Sequence, residues 1–95
     1  PPSVADAARE IVRLLTSSGR TVGVAESLTG GRVVSALVDV PGASAVVRGG
    51  VVAYATPLKH SLLGVDPELL AERGPVDAEV ARRMAEGVRR ATSVD

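Results

Sequence analysis

Residues 21–31 read TVGVAESLTGG, and the fold turns on this stretch. Thr21, Val22 and Val24 are β-branched and stand in a short apolar run through Ala25, the pattern of a buried strand. Val33, Val34, Ala36, Leu37 and Val38 then recur at helical spacing and predict a helix from Leu28 or Thr29 to Asp39. Between them lie Glu26, Ser27, Thr29, Gly30 and Gly31. A strand feeding a helix across a tight, hydroxyl-bearing turn leaves backbone N–H groups at the positive end of a helix dipole. That setting suits a nucleophile or a bound anion.

Outward from this junction, helices and strands alternate. Ser3 and Asp6 form a capping-box-like pair ahead of a helix to about Thr16, with Val4, Ala7, Ala8, Ile11, Val12, Leu14 and Leu15 on its apolar face. Ser17 to Arg20 close it. On the other side, Pro41 and Gly42 break the second helix, Ala43 to Val47 make a brief helical turn, and residues 49–55 read as a second strand with both faces covered. Thr56-Pro57 predicts an N-cap and a short helix through Leu63, and Asp66-Pro67 predicts another through Arg73. Asp77 opens a last helix with Val80, Ala81, Met84, Ala85 and Val88 on its apolar stripe and Arg82, Arg83, Glu86, Arg89 and Arg90 on a solvated face. The pattern is α/β, one domain over residues 1–95. Only two strands are expected, which make a poor independent sheet, so another chain or further sequence is expected to complete it.

Composition narrows the function. Eleven basic and eleven acidic residues cancel, and Tyr54 is the sole aromatic residue. With neither a basic field nor a stacking platform, no nucleic-acid partner is expected. There is no cysteine, which removes thiol chemistry and thiolate metal sites, the lone His60 cannot build a zinc site by itself, and no cluster of residues has metal-ligand spacing. No apolar run is long enough to span a bilayer, so no membrane partner is expected and a cytoplasmic location is.

Taken by themselves, the chemical candidates stay open. Ser27 is either a nucleophile, with nearby amides as oxyanion donors, or together with Thr29 a cap for the second helix. Lys59 and His60 are alternative bases or surface residues. Tyr54 is a proton relay or a core residue whose hydroxyl reaches the rim. Glu26 either anchors a cationic substrate group or holds the turn through backbone amides.

Four segments together add specificity: AESLTGG at 25–31, DVPGAS at 39–44, RGGVVAYATPLKHSLLGV at 48–65 and ERGPVDAEVARRMAEG at 72–87. In order and spacing they resemble the C-terminal domain of the competence/damage-inducible protein A (CinA) family, the nicotinamide-nucleotide amidase module. The resemblance implies a three-layer α/β/α fold. Because the family continues into a glycine-rich segment resembling TGIAGPGG, it implies that only the N-terminal part of that domain is present. It also implies an amidohydrolase that converts nicotinamide mononucleotide to nicotinic acid mononucleotide and ammonia through a Ser/Lys acyl-enzyme; the alternative, from the missing segment, is a truncated non-catalytic α/β module that binds a nucleotide or acts in assembly. Carried over by position, Ser27, Lys59 and Tyr54 are the implied catalytic residues, with Lys59 rather than His60 as base. Glu26, Thr29, Gly30 and Gly31 are the implied substrate-binding residues, the last three on the oxyanion and phosphate side. No cofactor or metal is implied, and the implied partner is a pyridine nucleotide; the unfinished two-stranded sheet, in turn, leads to the expectation of a homo-oligomer.

Overall fold

A computed structural model describes all residues 1–95. Its elements follow in the order α1 (Val4–Ser18), β1 (Val22–Glu26), α2 (Arg32–Val38), a 3₁₀ turn (Ala43–Ala45), β2 (Val47–Val52), α3 (Thr56–Ser61), α4 (Pro67–Arg73) and α5 (Ala78–Thr92). Strands β1 and β2 pair in parallel as a two-stranded sheet. The alternation of side chains along a strand divides the interior in two. Val22 and Val24 pack with Ala8, Val12 and Leu37 of α1 and α2 on one face. Ala25 and Val51 pack with Val80, Met84 and Val88 of α5 on the other. The outcome is a helix–sheet–helix sandwich, the three layers expected.

Local chemistry fixes the helix ends. Ser3 and Asp6 form a full capping box on α1, whose C-cap is Gly19 in the left-handed region. Asp66 and Asp77 cap α4 and α5 through their carboxylates. On the outer face of α5, Arg82 bridges Glu79 and Glu86, and Arg83 also reaches Glu79. These exposed pairs stabilise the helix only slightly.

Several expectations are corrected. Thr56 is not a cap but the first residue of α3; Ala55 takes the N-cap position, with no side-chain bond. Strand β2 begins at Val47 and ends at Val52, and its residues alternate in exposure rather than being covered on both faces. Tyr54 lies beyond it and is 72% exposed, so it is no core residue. Along α1 only Ala8 and Val12 are buried, while Val4, Ile11 and Leu14 remain open to solvent.

Glycines set the closest approach of α5. A Cβ on Gly87 would overlap the carbonyl oxygen of Leu63, a backbone atom that cannot swing aside. Gly87→Ala should therefore lower stability by about 1–3 kcal/mol despite the better helix propensity of alanine, as urea unfolding followed by circular dichroism will show. An increase in stability would mean that α5 and the loop at Leu63 do not touch.

Candidate active site

The turn after β1 holds Ser27, half-buried, and α3 delivers Lys59 to it from across the sheet. Lys59 Nζ lies 2.8 Å from Ser27 Oγ. The same nitrogen donates to the carbonyls of Ala53, at 2.7 Å, and Tyr54, at 3.3 Å. As an ammonium it has three hydrogens for three acceptors. As a neutral amine it keeps two hydrogens for the carbonyls and turns its lone pair toward the serine hydroxyl. Lys59 is 1% exposed, and this burial pushes its pKa below the ordinary lysine value, toward the form able to accept a proton. His60 takes no part: its Nδ1 lies 2.9 Å from the carbonyl oxygen of Val65.

Glu26 occupies the position that the dipole argument reserved for a ligand. Its Oε1 accepts the amides of Gly31 and Val33 at 3.1 and 3.0 Å, and Oε2 accepts that of Val34 at 2.9 Å. The anion at the N-terminus of α2 is thus the protein's own side chain. Burial works against its ionisation, but the Thr29 side chain nearby and hydrogen bonds from the amides of Val34, Val33 and Gly31 prevail and hold its pKa below the ordinary glutamate value. At 2% exposure, with both oxygens engaged by backbone amides, Glu26 holds the turn.

This arrangement also corrects the cap and the oxyanion donors. The N-cap of α2 is Gly31, with φ of 103°, so neither Ser27 nor Thr29 caps the helix. The Gly30 amide donates to the Ser27 carbonyl at 3.1 Å, and that of Gly31 goes to Glu26, so neither glycine offers a free N–H. The amides of Leu28 and Thr29 have no acceptor within the chain. Gly30 and Gly31 contribute successive positive φ values, 59° and 103°, which a side chain would oppose. Tyr54 contributes its carbonyl to Lys59, and no hydrogen bond ties its phenol to Ser27 or Lys59.

Two features escaped the sequence. The carbonyls that orient Lys59 are main-chain atoms, which residue identity does not disclose. The long-range cap was foreshadowed only by a missing feature: no Ser, Thr, Asp or Asn immediately precedes Arg32. No group of three or more His, Cys, Asp or Glu side chains converges as a metal site would require, and no helix is long and apolar enough to cross a membrane.

Comparison with known proteins agrees with the geometry in placing the chain. Residues 4–95 match the family model described as the CinA C-terminal domain. A CinA-like protein of Gloeobacter violaceus is 54% identical over 82 residues, which cover 86% of this chain and 19% of that protein. One from Frankia casuarinae is 53% identical over 79 residues, covering 83% of this chain and 18% of its own length. Among solved structures, the competence/damage-inducible protein CihA of Agrobacterium tumefaciens superposes with a TM-score of 0.93 at 37% identity, over 99% of this chain and 57% of that one. A CinA superfamily protein from Enterobacter cloacae gives 0.96 at 28% identity, over 100% and 56%. The chain thus spans about a fifth of the curated relatives and a little over half of the solved ones. It belongs to the CinA C-terminal domain family.

Proposed function

We propose that the site is that of a serine amidohydrolase acting on nicotinamide mononucleotide. The observation that carries this reading is a buried lysine amine 2.8 Å from a serine hydroxyl, its other hydrogens held by two carbonyls. Neutral Lys59 takes the Ser27 proton as Oγ attacks the carboxamide carbon. The free amides of Leu28 and Thr29 receive the developing oxyanion. The Lys59 ammonium returns the proton to the departing nitrogen and ammonia leaves. Water, deprotonated by Lys59, then attacks the acyl-enzyme, releasing nicotinic acid mononucleotide and restoring Ser27. Glu26 serves by keeping the turn rigid, and Thr29 by its free amide.

The test is ammonia release from nicotinamide mononucleotide by the parent and by Ser27→Ala. Release by the parent is expected to fall to background in Ser27→Ala. Release that survives the substitution removes Ser27 as nucleophile. No release from the parent, together with a Ser27 inert to acylating esters, replaces the enzyme with the non-catalytic module.

A further inference from the structure

The helix that carries Lys59 has little of its own to hold it. α3 is six residues long, far below the roughly 12–15 at which a helix begins to sustain itself in water, and its N-cap, Ala55, makes no side-chain bond. From near the end of this helix Lys59 must nevertheless present its amine to Ser27 and to the carbonyls of Ala53 and Tyr54. The fixation comes from the residues that follow.

Two consecutive residues of α3 grip one residue beyond it. The Val65 amide donates to the Lys59 carbonyl at 3.1 Å, and the Val65 carbonyl faces His60 Nδ1 at 2.9 Å. Between them the Gly64 amide donates to the His60 carbonyl at 2.8 Å, with Gly64 in the left-handed region at a φ of 70°. Leu63 and Val65 are buried in the core beneath α5, so the gripped residue is itself anchored. A carbonyl only accepts, so His60 Nδ1 carries the hydrogen, and in the neutral ring Nε2 keeps the lone pair. Neighbours on a helix point about 100° apart. Lys59 therefore turns inward to the serine while His60, on the exposed side, ties the last turn of α3 to the core.

We propose that His60 is a positioning residue for Lys59: by donating from Nδ1 to the Val65 carbonyl it closes α3 against the core and holds the lysine amine on Ser27. It touches neither the serine nor a substrate. The inference rests on the proposed role of the Ser27 and Lys59 pair. Opening this clasp admits water to the amine, whose low pKa comes from burial. An unclasped Lys59 is more often protonated and less often in line with Ser27, which lowers kcat and leaves KM nearly unchanged.

Lys59 is the only lysine of the chain and His60 the only histidine, so each is a single reporter in magnetic resonance. In ¹⁵N spectra the neutral His60 ring is expected as the Nδ1–H tautomer. The ¹³Cε titration of Lys59 should have its midpoint below that of ordinary lysine in the parent, and about one pH unit higher in His60→Leu. His60→Asn, whose side-chain NH₂ takes the place of Nδ1–H, should restore the parental midpoint. Helix propensity favours leucine over asparagine, so it cannot produce this order. The kcat for ammonia release should follow the same order, about tenfold lower in His60→Leu with KM within about twofold, and recovered in His60→Asn. An Nε2–H tautomer in the parent overturns the proposal, as does a Lys59 midpoint that His60→Leu leaves in place or that His60→Asn fails to restore. The expected spectra without ammonia release from the parent remove the amidase instead and leave the clasp standing.

Discussion

Lys59→Met should reduce ammonia release from nicotinamide mononucleotide by roughly 10²–10⁴-fold, the usual contribution of a positioned general base. Methionine fills the buried volume without a lone pair of comparable basicity, so the chemistry is lost while the packing remains. Stability should change by less than about 2 kcal/mol, because removing a desolvated amine offsets two carbonyls losing their donor. The pH dependence carries the same signature. Burial depresses the Lys59 pKa, so the rate should rise with pH through a value below that of ordinary lysine. Between the folded and unfolded pKa values the folded protein binds fewer protons, so stability should also rise with pH there, and Lys59→Met should flatten that rise. Initial rates and urea midpoints across the pH range measure both. A variant that retains parental activity would show that Ser27 is activated by another group.

Glu26→Ala should have the largest effect on folding. It leaves the amides of Gly31, Val33 and Val34 without their acceptor, at a cost of roughly 3 kcal/mol. Glu26→Gln should fall between, since one carbonyl oxygen remains to accept and an NH₂ group now opposes an N–H. The pKa of Glu26 is lowered in the folded state, so its contribution is complete above the unfolded value and disappears as pH falls through the folded one. The parent should therefore lose stability in acid more steeply than Glu26→Gln, as urea midpoints at stepped pH will show. Equal acid sensitivity in the two proteins would mean that this carboxylate does not hold the turn.

Much of this was legible because the signals were local. Ser3 and Asp6, Asp66-Pro67 and Asp77 fix helix starts by their own side chains, and the Val-rich runs marked both strands. Boundaries slipped where the determinant was distant. The second helix begins at Arg32 rather than near Leu28, because consecutive left-handed glycines extend the turn and a carboxylate five or more residues upstream supplies the cap. For α1, periodicity identified the apolar face but not how little of it α2 and the sheet cover. At the site, Ser27 and Lys59 are 32 residues apart, and spacing alone could not choose between Lys59 and His60; the fold sets Lys59 Nζ at the Ser27 hydroxyl and turns His60 to the Val65 carbonyl. For Tyr54 the sequence offers a relay through the hydroxyl or a core residue with its hydroxyl at the rim, yet its link to Lys59 is a carbonyl, an atom every residue carries.

The irregular rung at the start of the sheet has a consequence at its far end. Val22 faces Val47, but the next pair is Gly23 with Gly49, so Arg48 is passed over and its guanidinium instead bonds the Thr92 carbonyl at 3.1 Å. From there the two strands run in step to Glu26 and Val52. The skipped residue acts as a phase setter. It determines which peptide of β2 arrives opposite the end of β1, and hence where the segment that carries Lys59 stands relative to Ser27, about 16 Å further along at the usual rise of an extended chain. Arg48 touches no reacting atom, yet the meeting of Ser27 and Lys59 is timed by it, as one tooth of a gear sets the position of all the others.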